Sequence, residues 1–159
     1  MQARAQMWED SKRDDPREGK TYYQFVLRGK YLVPPSHPDS APPRLVVFCE
    51  PGRFARGQFL PGAVAQPWGT KVLRDAHQSH VNIQVDDGNT NQALWDYVDD
   101  GMALGFDQLQ LKKLLGHPPQ EPITKRVTLG ISEALGKAVV VQFDMPQNPT
   151  ILVQTCGLE

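Results

Sequence analysis

Turn-forming residues interrupt this chain so often that only short regular elements fit between them. Of 159 residues, 14 are proline and 13 are glycine, gathered in stretches such as "VPPSHPDSAPP", "EPGRF" and "LPGAVAQPWG". Proline fixes φ and removes a backbone donor, while glycine opens conformations closed to other residues, so each cluster ends an element. Between the clusters lie runs rich in β-branched and aromatic residues. "TYYQFVLRG" (21–29) continues into "KYLVPP" until Pro34 and Pro35 end pairing, and "RLVVFCE" (44–50) stands between Pro43 and Pro51. "RFARGQFLPG" (53–62) reads as an outer strand.

Further along, Val81, Ile83 and Val85 alternate with Asn82, Gln84 and Asp86, the period of a half-buried strand. "NQALWDYV" (91–98) places Leu94 on one face and Trp95 and Tyr97 on the other. "ITKRVTLGI" (123–131) and "GKAVVVQFD" (136–144) are separated by a hairpin-length "SEALG". One helix is expected over 106–117, where Leu111, Leu114 and Leu115, with Phe106 and Leu109 before them, recur at helical spacing and Gly116 supplies a stop. "NPTILVQTCG" (148–157) carries mixed signals. Asn148, Pro149 and Gly157 favour a short helix, which we expect, while Thr150, Ile151, Val153 and Thr155 favour a strand. The fold class expected is therefore α+β and mostly antiparallel: a sandwich-like sheet with one amphipathic helix packed against it.

Residues 1–20 are dense in charge and are expected to fray, with Trp8 packing onto the body, leaving 21–159 as one β-rich domain. A formal net charge of -1 supplies no field toward nucleic acid or an anionic membrane. The apolar runs "LVVF" and "AVVV" are far too short to span a bilayer as helices.

The stretch that looks most like a site is "VNIQVDDGNTNQALWDYVDDG" (81–101), with five aspartates around Trp95 and Tyr97. An EF-type calcium loop needs a glycine followed six residues later by glutamate, and that match fails here. A different oxygen-rich loop from Asp86, Asp87, Asn89 and Asn91 is one alternative, and acid–base work by Asp86 or Asp99 is another. The reading we favour is turn chemistry, with Gly88 free to take positive φ and the carboxylates solvated. In "DAHQSH" (75–80), His77 and His80 lie near Asp75 and could join Asp87 at a metal. The alternating strand that follows sends i and i+3 to opposite sides, which disfavours that set. His37 and His117, each beside a proline, read as surface residues. Arg53 and Arg56, interleaved with Phe54 and Phe59, resemble a stacking platform for nucleic acid, but the neutral overall charge favours packing or a protein interface.

Cys49 and Cys156 form no C-x-x-C motif and are too few for a cysteine-only zinc site. They are either one disulfide or two buried thiols. Ala3-Arg4-Ala5 has the small-x-small form found before a signal-peptidase cut, though no apolar region precedes it; the alternative is an ordinary polar cytoplasmic N-terminus.

From Pro43 to Leu158 the order of features resembles the VasI/TagO family of type VI secretion-associated bacterial envelope proteins and its uncharacterised relatives. The resemblance rests on Pro43, Leu45 and Cys49 in a "P-x-L-x-x-x-C" strand, on "VNIQVDDGNTNQALW", on the "LQLKKLLGH" helix and on the strand "AVVVQFDM". The chain departs from the pattern in "RFARGQFLPGAVAQPWGT" and in the "NPTILVQTCG" ending. The resemblance implies a periplasmic or secreted, non-catalytic domain that acts through protein contacts, without a cofactor. Its working surface is expected around Asp86, Asp87, Asn89 and Asn91 together with Arg53 and Arg56. Two alternatives remain at this level: a metal-dependent hydrolase using the Asp/His-rich segment 75–100, or an intracellular or phage-derived interaction module.

Overall fold

A computed structural model describes residues 7–35, 42–62, 77–98, 102–116, 123–132 and 137–158. The segment Ala3-Arg4-Ala5, His37, Asp75, Asp99, His117, most of the loops read at 36–43 and 61–70, and most of "SEALG" lie outside the described residues. Ten strands are described: β1 Glu9–Asp15, β2 Lys20–Arg28, β3 Lys30–Val33, β4 Arg44–Glu50, β5 Arg53–Leu60, β6 Gln78–Val85, β7 Thr90–Val98, β8 Ala103–Phe106, β9 Arg126–Ser132 and β10 Ala138–Asp144. Helix α1 is Gln108–Leu115 and helix α2 is Thr150–Cys156.

All ten strands belong to one sheet, in the order β1-β2-β4-β5-β8-β7-β6-β9-β10-β3, and every pair is antiparallel. The chain itself joins β3, at one end of the order, to β2, next to the other end. β2 lies beside β4 and β3 beside β10, yet β2 and β3 are separated only by Gly29. Gly29 donates to the Pro43 carbonyl at 2.8 Å on one side. On the other, a Cβ at this position would overlap the Phe143 ring and the Gln142 carbonyl at 2.7–2.8 Å. A side chain would hold the seam open, so glycine is needed where the sheet wraps onto itself.

The core fills the inside of this wrap. Phe59 on β5 meets Trp95 on β7 edge-on, with ring centroids 6.3 Å apart, and Phe143 on β10 at 6.0 Å. β10 is five places from β5 in the sheet order, so the second contact crosses the interior. The two halves of the sheet face each other as in a sandwich while remaining one hydrogen-bonded sheet. Alternation decides which residues enter. Leu45, Val47 and Cys49 of β4 and Val139, Val141 and Phe143 of β10 are buried; on the opposite parity of β4 Val46 is buried too, while Phe48 is partly exposed and lines an outer groove.

Both helices pack at one end of the wrap. α1 buries Leu111, Leu114 and Leu115, begins where the Asp107 carboxylate accepts from Gln110 N at 2.9 Å, and stops at Gly116 with φ 85°. Leu109 is 56% exposed, and so lies off the apolar stripe expected for it. α2 buries Leu152 and Cys156 and ends at Gly157 with φ 63°. The Cys49–Cys156 disulfide ties it to β4, with Cα atoms 5.2 Å apart. Gly52 N also donates to Thr155 O at 2.7 Å, between the β4–β5 turn and α2.

Three elements differ from expectation. Glu9–Asp15, within the stretch expected to fray, pairs residue for residue with β2. A strand can be added through its backbone alone, whatever its side chains. β5 lies between β4 and β8 rather than at the outside. Its Gly57 leaves the space that the Phe106 ring occupies. Residues 103–106, read as a lead-in to the helix, form β8 and place Ala103, Leu104 and Phe106 in the interior. No described helix is long and apolar enough to cross a membrane.

Candidate functional site

The acidic stretch divides at the β6–β7 hairpin. Asp86 follows β6 and takes a positive φ of 52°, whereas Gly88 does not, so the left-handed position expected at the glycine falls on the aspartate. Asp and Asn tolerate this region better than other side-chain-bearing residues. The Asp86 carboxylate accepts from the backbone N–H groups of Lys125 at 2.8 Å and Arg126 at 3.0 Å. Asp86 N donates in turn to Arg126 O at 2.8 Å. Asp87 accepts from the Arg126 guanidinium at 2.7 Å. Within the hairpin, Gly88 N donates to Val85 O at 3.1 Å and Gln84 Nε2 to Gly88 O at 3.0 Å. These two aspartates therefore fasten the β6–β7 turn to the start of β9.

Asn89 and Asn91 are exposed beyond the turn. They line a groove of about 580 Å³ between the hairpin and α1, together with Gln92, Leu94, Gln110 and Lys113. A second groove, of about 440 Å³, lies on the other side of α1 and is lined by Arg56, Gln58, Gln78, Asp96 and Asp107. Leu94 and Gln110 line both. The two stretches expected to form one working surface thus flank the same helix without touching. Of these residues Arg56, Asn89 and Asn91 line the two grooves, and Leu94, 43% exposed, gives the pair an apolar centre.

Arg53 is spent elsewhere. It pairs with Glu50 across the β4–β5 turn, and Lys20 approaches the same carboxylate at 3.3 Å. The hydrogen bond from Lys20, then Arg53, holds Glu50 below its ordinary pKa despite opposing desolvation. Arg56 lies over the Phe48 ring, its guanidinium carbon 4.4 Å from the centroid. Phe48 and Tyr22 line a further outer groove with Arg13 and Arg56. Sequence reasoning passed over Phe48, and parity alone does not single it out, because Val46 on the same parity of β4 is buried.

The histidines and Asp87 are not gathered. His77 and His80 stand at the start of β6 and Asp87 lies beyond its far end. His80 stands seven residues and His77 ten residues before Asp87, roughly 23 Å and 33 Å of extended chain. Among the described residues no three His, Cys, Asp or Glu side chains are placed to hold a metal ion. His77 takes φ 56°, and its carbonyl accepts from Tyr97 N at 2.7 Å, a bridge that continues the β6–β7 pairing. Burial pushes the Tyr97 phenol above its ordinary pKa. Cys49 and Cys156 are both buried and bonded to each other, which removes either as a free thiol.

Compared with family models, curated proteins and solved structures, the chain matches none.

Proposed function

We propose that this protein is a non-catalytic, extracytoplasmic domain that acts through protein contacts, as the type VI secretion-associated envelope proteins it resembles would. The observation that carries this reading is the Cys49–Cys156 disulfide, which fastens α2 to the end of β4 beside the β4–β5 turn. Such bonds persist in oxidising compartments and are uncommon where cellular thiol buffers keep cysteines reduced. The non-catalytic part is supported by how the acidic side chains are used. Asp86 and Asp87 satisfy backbone and guanidinium donors of β9, and a carboxylate so occupied is poorly placed to take a substrate proton. The contact surface we assign is the pair of grooves flanking α1, with Arg56, Asn89, Asn91, Gln110 and exposed Leu94. A large apolar residue ringed by polar ones is the composition of an interface centre and rim.

The test is thiol trapping in the native cell. Cells are quenched in acid, free thiols are blocked with a maleimide–polyethylene glycol reagent, and the protein is followed through fractionation. A product without mass gain, recovered outside the cytoplasm, is expected. Two blocked thiols in a cytoplasmic protein would overturn the compartment and leave an intracellular interaction module as the better reading.

A further inference from the structure

A fourth groove lies away from α1, where the sheet order ends. β1 is the outermost strand, and among the described residues no strand pairs with its outer edge. Met7, Trp8 and Asp10, with Phe25 of the neighbouring β2, form one wall of a groove of about 380 Å³ whose other wall is Pro146, Pro149 and Ile151. The segment after β10 and the first turn of α2 thus stand across a gap from β1. The two most exposed large apolar side chains among the described residues stand on its opposite walls, Met7 at 72% and Ile151 at 64%. Trp8 Nε1 is covered from solvent and has no acceptor among the described residues. Asp10, on the rim, makes no ion pair among the described residues.

We infer that this gap is a second contact surface, and that its occupant is an extended peptide segment of a partner protein, carrying apolar side chains and at least one lysine or arginine. Three separate features call for that chemistry. An unpaired strand edge offers a row of N–H and C=O groups that an extended backbone satisfies. The apolar walls take alternate side chains of that backbone, since neighbours point to opposite faces. Asp10, which lines the groove, gains a cation. The strand sequence, EDSKRDD, holds more acid than base, which disfavours indiscriminate pairing with a second copy and favours a basic partner. The inference goes beyond the α1 grooves and rests on the proposed function only in taking the partner to be a protein.

The probe is a capped peptide in which leucine alternates with lysine and threonine, labelled for fluorescence anisotropy. It is expected to bind, and to weaken by about tenfold or more when its leucines become asparagine, when its lysines become glutamate, or when alternate backbone nitrogens are methylated in one of the two registers. Ile151→Asp, at an exposed position, is expected to keep the thermal midpoint of the parent and lose binding by a similar factor. Asp10→Lys is expected to reverse the preference, favouring the glutamate peptide. Binding that ignores Ile151→Asp, or that survives methylation in both registers, would overturn the inference, as would uptake by phosphatidylcholine vesicles without peptide binding. Absence of any peptide binding would also overturn it, and would leave the compartment reading to the thiol-trapping experiment, which does not depend on this groove.

Discussion

Asp86 and Arg126 grip each other through their backbones and one side chain. Asp86 N–H donates to the Arg126 carbonyl at 2.8 Å, and Arg126 N–H donates to the Asp86 carboxylate at 3.0 Å. The same carboxylate also accepts from Lys125 N at 2.8 Å. Bonds of amides to an ionised acceptor are stronger than neutral ones. Asp86→Ala leaves these donors without that acceptor and puts alanine at φ 52°, so it is expected to cost about 1.5–3 kcal/mol in urea unfolding. Asp86→Asn, which tolerates the backbone and keeps one acceptor oxygen, should cost about 1 kcal/mol. Arg126→Ala is expected to cost no more than about 1 kcal/mol, because its ion pair to Asp87 is largely exposed. Equal losses for Asp86→Ala and Arg126→Ala would show that the ion pair, not the backbone clasp, holds the hairpin to β9.

The disulfide spans 107 residues of sequence, which makes it a strong constraint on the unfolded chain. By chain entropy, replacing both cysteines with alanine should lower stability by about 4–5 kcal/mol. The loss should concentrate at α2, which has only seven residues and is too short to persist without its tertiary attachments. Hydrogen exchange is the measurement: amides of Thr150–Cys156 should lose protection first on reduction, ahead of β4 and β5. Uniform loss across the sheet would mean that the helix and the sheet unfold as one unit.

Where the fold was legible in the sequence, local signals wrote it. β6, β9 and β10 alternate, β4 is an apolar run bounded by prolines, and α1 carries its buried leucines at helical spacing. β1 escaped because its sequence, EDSKRDD, has no apolar face to alternate; only its backbone register with β2 defines it. β8 escaped because its four residues are nearly all interior and read as the start of an apolar helix. The candidate site was half legible for a different reason. The turn at 86–88 announced itself locally, but the partners of Asp86 lie 39 and 40 residues away, and spacing along a chain cannot show a contact of that range. The groove beside β1 was hidden for the same reason, since Met7 and Ile151 stand at opposite ends of the sequence.

Gly57 is a packing device. A Cβ there would overlap the Phe106 ring, which enters the core beside Trp95 at a centroid distance of 5.1 Å. Gly57→Ala is expected to destabilise by about 1–3 kcal/mol, through displacement of that ring. Near-ultraviolet circular dichroism should report it as a change in the tryptophan band. Combining Gly57→Ala with Phe106→Leu should cost less than the sum of the two single changes, because the smaller side chain vacates part of the contested space. Additive losses would place the cost of Gly57→Ala in the backbone of β5 rather than in the ring.

Glu50 gives the fold a defined response to acid. Hydrogen bonding from Lys20 and then Arg53 lowers its pKa in the folded chain, while no such partners are fixed in the unfolded one. A carboxylate depressed on folding adds stability above its ordinary pKa and loses it as pH falls through the folded value. The Lys20–Glu50–Arg53 cluster should therefore support the β4–β5 turn at neutral pH and cease to do so in the acid range. Thermal midpoints of the parent and Glu50→Gln should differ at pH 7, with the parent higher, and converge near pH 3. Added salt at pH 7 should narrow the gap, because Lys20 and Arg53 are both more than half exposed. A gap that persists undiminished at pH 3 would mean that Glu50 acts through its shape and neutral hydrogen bonding rather than its charge.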